Sequence, residues 1–305
     1  MATKIEWATE VYNPVTGCTP VSDGCKHCYA RRMATRLRGR FGYPQDDPFK
    51  VTLHPDRVDQ PLKWKKPRMI FVSSMGDLFH KDVPDEFIGD IGRIVTKCPQ
   101  HSFVILTKRP ERMRDYFKKV AYETAVNPPH ESLNMLNVLL GVSVEDQETA
   151  DKRIPILLQV PAAKRVVSYE PALSGLDMWE WLWETNPDYQ PPRFLDEGET
   201  YTVSPYVPSN KIGWLICGGE TGPGARPMNP VWARAVKDQC VAAGVPFFFK
   251  QTGPWIPDRL ADPTEPNVRT VDGLRMILTS RKRHPIAAKL GKRLLEGQVW
   301  EQVPG

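Results

Sequence analysis

Long hydrophobic runs are absent from this chain. Stretches such as Met69 to Val72 and Trp214 to Cys217 hold only four apolar residues each, against the roughly 20 needed to cross a bilayer, so no membrane partner is expected. The N-terminus, Met1 to Trp7, lacks the apolar core of a secretory signal. Also missing is the second close pair of ligands that a structural zinc site normally brings. Cys98, Cys217 and Cys240 stand singly in apolar segments, where a free cysteine behaves as a small buried hydrophobe. A cytoplasmic location is expected, where thiols stay reduced and clustered cysteines are read as metal ligands and not as disulfides.

What is present is ordinary in bulk and uneven in placement. With 305 residues, 25% charged and 41% apolar, the chain can bury one large α/β core or two small ones. The net charge of +5 is gathered in three groups: Arg31, Arg32, Arg36, Arg38 and Arg40; Lys63, Lys65, Lys66 and Arg68; and Arg281, Lys282, Arg283, Lys289, Lys292 and Arg293. Charge runs are commonly just solvated faces, but three on one chain also suit a polyanionic partner.

The most specific stretch is Gly17 to Tyr29, in which Cys18, Cys25 and Cys28 lie within eleven residues. Three thiols this close can converge on one metal centre. Zinc would take them with His27 or a distant histidine as fourth ligand. An iron–sulfur cubane would take them alone and leave one iron open, since thiolate sulfur is the usual ligand of such clusters. Spacing by itself leaves both open.

After this loop a pattern repeats: a short apolar run, a polar signature, then a helix-like segment. Met69-Ile70-Phe71-Val72 leads into Ser73-Ser74-Met75-Gly76-Asp77, and Phe103-Val104-Ile105-Leu106 into Thr107-Lys108-Arg109-Pro110. Val138 to Val142 leads into Ser143-Val144-Glu145-Asp146, and Arg165-Val166-Val167 into Ser168-Tyr169-Glu170-Pro171. Trp214 to Cys217 leads into Gly218-Gly219-Glu220, and the Phe-rich run at Phe247 to Phe249 into Lys250-Gln251. Asp82 is expected to cap the helix that carries Phe87, Ile88, Ile91, Ile94 and Val95, and Asn229 with Pro230 to open one closed by Gly244. Counting a first strand at Ile5 to Trp7, there are six strands, or seven with the Phe-rich one, fewer than the eight of a closed barrel. Ligands of parallel β/α folds sit at the carboxyl ends of strands, which marks Lys108, Arg109, Glu145, Glu170, Glu220 and Lys250 as candidates. The alternative for each is a buried ion-pair partner.

Two segments interrupt the repeat, at about 119–137 and 176–211. The second carries Trp179, Trp181 and Trp183, whose alternate spacing cannot bury all three on one narrow helix face. They either pack on a neighbour or offer stacking surface, and Trp181 is the candidate for the latter. Residues 1–253 are expected to form the main β/α unit, and 254–305, polar and Pro-rich, a C-terminal extension.

A cysteine loop after the first β/α strand, with an aromatic residue directly after the last cysteine, resembles the radical S-adenosylmethionine (SAM) superfamily. Its usual C-x3-C-x2-C spacing is C-x6-C-x2-C here, as in some branches. The chain is more specifically similar to a phage and bacterial branch of such proteins. The shared motifs are Asn13-Pro14-Val15-Thr16-Gly17-Cys18, Gly24 to Ala30, Ser74-Met75-Gly76-Asp77-Leu78-Phe79, Leu106 to Pro110, Gly141 to Glu145, Ser168 to Pro171 and Gly218-Gly219-Glu220. The resemblance implies a partial (β/α)6 TIM-like barrel of the radical SAM type with a small C-terminal appendage. In it, Cys18, Cys25 and Cys28 would hold a [4Fe–4S] cluster whose open iron binds SAM, and a reductant such as flavodoxin or ferredoxin would drive its cleavage to a 5′-deoxyadenosyl radical. Tyr29, Ser74, Gly76, Asp77, Lys108, Ser143, Glu145 and Glu170 are then expected around the cofactor, with Arg109, Glu220, Lys250 and Trp181 toward the substrate. Cys217 is a candidate hydrogen donor, with a plain core cysteine as the alternative. The superfamily includes a spore DNA repair lyase, and together with the basic groups this suggests a nucleobase or nucleic acid as substrate. Two other readings stay open: a zinc protein that binds nucleic acid without SAM chemistry, and a radical enzyme acting on a peptide or small metabolite.

Overall fold

Seven short strands form one all-parallel sheet whose spatial order is the chain order. They are β1 (Glu10–Tyr12), β2 (Met69–Val72), β3 (Ser102–Thr107), β4 (Val138–Val144), β5 (Lys164–Tyr169), β6 (Ile212–Gly218) and β7 (Phe247–Gln251). The computed structural model describes residues 5–126, 137–160, 162, 164–182, 211–257, 264, 266–278, 294–296 and 298–304. Between the strands run α1 (Tyr29–Arg36), α2 (Asp85–Thr96), α3 (Pro110–Val126), α4 (Gln147–Leu157), the single turn α5 (Trp179–Leu182) and α6 (Pro230–Ala242). A parallel sheet wound in strict order, with α2 to α6 on one face, curls into an open half-barrel, consistent with a partial TIM-like barrel.

The two faces of the sheet are legible from strand parity. Ile70, Val72, Phe103, Ile105, Leu140, Val142, Val167, Leu215 and Phe249 point outward and pack with Ile88 and Ile91 of α2, Met113 of α3, Ile154 of α4 and Val236 of α6. Phe71, Val104, Leu139, Val166, Trp214, Ile216 and Phe248 point inward and meet Trp7 and Ala8, which plug the concave side. Trp7 lies edge-on to Trp214 with centroids 5.5 Å apart. Both faces are therefore apolar at mid-sheet, as a parallel sheet requires.

That plug displaces the first strand from where the sequence puts it. Ile5 to Trp7 is not the strand; β1 begins at Glu10 and pairs with β2 through Glu10 and Ile70. A second boundary also moves. Asp82 does not cap α2, which starts at Asp85 with Pro84 as its cap residue, because Val83 precedes a proline and is disfavoured in the helical region. Asp82 lies 3.6 Å from His80 instead. The Phe-rich run is a true seventh strand, and Asn229 caps α6 as expected, accepting from the Val231 N–H at 3.0 Å.

Beyond β7, strands β8 (Trp255–Pro257), β9 (Val268–Val271) and β10 (Leu274–Leu278) make a small antiparallel sheet with β10 central. The chain then returns to cover the outer edge of β7. Phe249 N–H donates to the Trp300 carbonyl at 2.8 Å, and Trp214 Nε1 donates to the Gln302 carbonyl at 3.0 Å. Covering this edge removes a row of unpaired backbone groups. The third basic group and Trp183 lie outside the described residues. Among the described residues no helix is long and apolar enough to cross a membrane.

Candidate active site at the carboxyl ends of the strands

Following the inward row upward from the apolar plug, the side chains turn small and then charged. Strand parity puts Gly141, Ser143, Ser168 and Gly218 on this row above Leu139, Val166 and Ile216, with Lys108, Glu145, Glu170 and Lys250 at its upper rim. Small residues leave room, and the rim supplies paired charge. Lys250 Nζ lies 2.9 Å from Glu170 Oε1, and the Ser168 hydroxyl donates to Glu170 Oε2 at 3.2 Å. This pair is partly open to solvent.

The cysteine loop lies over these strand ends, held by charged side chains from three of them. After β3, Arg109 Nη1 donates to Cys18 Sγ at 3.3 Å and Nη2 to the Thr19 carbonyl at 2.8 Å. After β4, Glu145 Oε1 accepts from the Ser22 hydroxyl at 2.8 Å. After β6, Arg226 donates to the Asp23 carbonyl at 3.0 Å and ion-pairs with its carboxylate. Each anchor is itself anchored. Asp77 takes Arg109 at 2.7 Å on one oxygen and the Thr107 hydroxyl at 2.8 Å on the other. Glu145 pairs with Lys108 and accepts from Arg153 Nη1 at 3.1 Å. Glu220 pairs with Arg226 and accepts its backbone N–H at 2.8 Å.

Many of the expected ligand contacts are thus structural supports of the loop. Asp77, 5% exposed, also accepts the Phe79 N–H at 3.0 Å, which leaves it little capacity for a cofactor amine. Arg109, Glu145 and Glu220 are likewise committed to ion pairs. Gly76 permits close approach of two chains: a Cβ there would lie 2.9 Å from the Gly17 carbonyl, its bridge partner. Ser74 lends its carbonyl to the Tyr29 hydroxyl and its own hydroxyl to Asn13 Oδ1 at 3.2 Å. Ser143, Glu170 and Lys250 remain on the open part of the inward face.

Two residues with alternative readings are buried. Trp181 is 4% exposed and packed in the main core, so its ring offers no stacking surface; a single-turn helix docked against α6 buries it. Cys217 is fully buried on the outward face of β6 among core side chains, and burial pushes its thiol well up. It is a core cysteine.

Sequence reasoning missed Ser22, Asp23, Arg153 and Arg226. Arg153 was detectable as a cation on the apolar stripe of Ala150, Ile154 and Leu157. Arg226 had no such signal, because its partners lie 203 and 6 residues away.

The electrostatics treat two thiols of the loop differently. Burial raises the Cys25 thiol, but the Lys108 charge and backbone donors outweigh it and hold the group below its ordinary value. At Cys18, burial and Asp77 outweigh the pull of Arg109 and hold the thiol above its ordinary value. Thiolate is the metal-binding form. Among the described residues no three His, Cys, Asp or Glu side chains are grouped as ligands of one ion; a cubane asks for a different arrangement, with one thiolate to each iron.

The fold and site define a parallel β/α half-barrel bearing a three-cysteine loop over the carboxyl ends of its strands. The chain belongs to the family described as protein of unknown function (DUF5131), matched over residues 2–304. No curated protein matches it. Among solved structures, it is similar to spore photoproduct lyase complexed with dinucleoside spore photoproduct, at 9% identity and a TM-score of 0.42, covering 93% of this chain and 72% of that one. A mutant of that lyase with bound AdoMet and dinucleoside spore photoproduct gives 11% identity and 0.42, covering 95% and 73%.

Proposed function

We propose that this protein is a radical SAM enzyme acting on a nucleobase or nucleic acid. The observation that carries the reading is the placement of Cys18, Cys25 and Cys28 on one loop, over the carboxyl ends of a parallel half-barrel, with Arg109 and Lys108 beside two of the thiols. The donor set fits a thiolate-bound cluster: three thiols share one loop, the Lys108 charge favours the ligand form at Cys25, and Arg109 donates to the Cys18 sulfur. Two buried polar atoms at the strand ends, Ser73 Oγ after β2 and Gln251 Oε1 in β7, have no hydrogen-bond partner among the described residues. Buried polar groups are normally satisfied, so these two leave unused hydrogen-bonding capacity at the strand ends, and Ser143, Glu170 and Lys250 are the side chains we assign to SAM.

When bound, the cluster and SAM supply one-electron cleavage of the sulfonium and a carbon radical able to take a hydrogen atom from a substrate. The protein's part is placement and exclusion. Arg109, Glu145 and Arg226 fix the loop that carries the three thiols. Trp7, Trp214 and Phe248 close the floor of the half-barrel against water. The Glu170–Lys250 pair, at the open rim, presents an acceptor and a donor together to whatever enters. A reductant such as flavodoxin or ferredoxin supplies the electron, and the arginines of α1 favour a polyanionic substrate.

The test is anaerobic reconstitution with iron and sulfide, then iron counting and a dithionite-driven assay for 5′-deoxyadenosine. About four irons per chain, with deoxyadenosine formation lost in Cys25→Ala, is the expected result. Tightly bound zinc and no SAM cleavage would overturn it.

A further inference from the structure

Among the described residues, Phe41 is the most open of the large hydrophobic side chains, at 72%. It is not a loose side chain. Its backbone is held in the left-handed region at φ 53°, within a turn closed by hydrogen bonds from Gly39 N–H to the Tyr43 carbonyl and from Tyr43 N–H to the Arg40 carbonyl, both 3.0 Å. Arg57 ties that turn to the site: it donates through Nη2 to the Phe41 carbonyl and through Nη1 to the Asn13 carbonyl at 3.1 Å, at the end of β1. On the next residue, a Cβ at Gly42 would lie 2.8 Å from the His54 ring. The ring of Phe41 is presented to solvent by a turn packed on both sides.

The charge around it is uncompensated. Between Tyr29 and Lys50 there are six basic side chains and two acidic ones. Among the described residues none of Arg31, Arg32, Arg36, Arg38 and Arg40 pairs with a carboxylate, whereas Arg68, Arg93, Arg109, Arg112, Arg153 and Arg226 all do. Arg38 donates to the carbonyls of Gln45 and Asp46 at 2.9 and 3.3 Å, Arg40 to that of Arg36, and Arg32 to that of Thr221 at 2.6 Å. Their positive charge is fixed in place and left free for an anion. The surface of α1 between this turn and the cysteine loop exposes Met33 and Tyr29.

We propose that the Arg36–Phe41 turn and α1 form a docking lane for single-stranded nucleic acid, in which Phe41 stacks on a base and Arg36, Arg38 and Arg40 hold phosphates. A flat ring beside fixed cations is the combination that binds single strands with little sequence preference. A duplex keeps its base faces covered and cannot use the ring. The stacking role that the sequence suggested for Trp181 thus falls to Phe41. The proposal deepens the nucleic-acid part of the function above and rests on that reading for its meaning, but its binding test needs no cluster.

The experiment is fluorescence anisotropy of the full chain with labelled oligo(dT) and a matched duplex, from low to high salt. Binding of the single strand in preference to the duplex, weakening steeply with salt, is expected. Phe41→Ala should weaken it about 5- to 150-fold, the span of one lost base stack, and Phe41→Trp should preserve it. Arg38→Gln with Arg40→Gln should flatten the salt dependence. No binding at low salt, equal binding of duplex, indifference to Phe41→Ala, or Phe41-dependent binding to anionic vesicles alone would each overturn the proposal. Deoxyadenosine formation without substrate should be unchanged in Phe41→Ala. Its absence from the wild type would refute the radical reading while leaving the docking result standing.

Discussion

The Arg109 guanidinium donates from Nη1 to the sulfur of Cys18 at 3.3 Å while the same nitrogen lies 2.7 Å from Asp77 Oδ2. The cysteine loop and the end of β3 are therefore joined through one cation, and the carboxylate behind it sets where that cation points. A donor and positive charge at a cluster thiolate favour the reduced, more negative state.

Arg109→Gln should therefore lower the reduction potential of the reconstituted cluster, and Asp77→Asn, which removes the opposing negative charge, should raise it. Redox titration followed by electron paramagnetic resonance reads both. Potentials that move in the same direction, or not at all, would remove Arg109 from this role.

Glu145 is the hub of the second support, buried and shared by Ser22, Lys108 and Arg153. Glu145→Ala strands two cations in a dry site and should cost about 3–5 kcal/mol of stability, read by denaturant unfolding. Gly24→Ala attacks the same contact from the loop side, because its Cβ would lie 2.4 Å from Glu145 Cγ. Iron retention should fall in both variants; full retention would show that the loop holds its shape without them.

His54 is buried beside Tyr43 and bonded to the Thr16 hydroxyl at 2.8 Å. Burial, then the Arg57 charge, depresses its pKa against a smaller opposing effect of Asp56. A depressed folded value means that the unfolded chain binds the proton more readily, so the stability is complete above about 6.5 and is lost as pH falls through the folded value. His80, also buried and depressed, adds to the same slope. Thermal unfolding between pH 7.5 and 5 should show a fall that is shallower in His54→Gln; an identical slope would exclude His54 as a source.

The N-cap of α6 is worth a conventional amount. Asn229→Ala removes the acceptor of the Val231 N–H and should cost about 1 kcal/mol, measured by denaturant unfolding, with no change in iron content. A loss of several kcal/mol would mean that Asn229 does more than cap.

Six of the seven strands were legible because continuous apolar runs such as Phe103 to Leu106 answer to burial on two faces; the first, Glu10–Tyr12, carries no such run, and the apolar pattern puts it at Ile5 to Trp7 instead. The cap at Asn229 was legible for a local reason: its side chain bonds a backbone N–H two residues on. The charged residues after the strands were recognised as unusual, but not for what they do. Lys108, Arg109, Glu145 and Glu220 look alike in sequence whether they hold a ligand or hold each other.

The sequence by itself determined the repeating β/α order, the three thiols and the polar signatures, since each depends on periodicity or on spacing within a dozen residues. Only the tertiary structure decided that Trp7 fills the half-barrel floor, that Trp181 is core and Phe41 is surface, and that Arg226 reaches Asp23 across 203 residues. Those outcomes depend on which distant segments curl together. Local propensity carries no information about that.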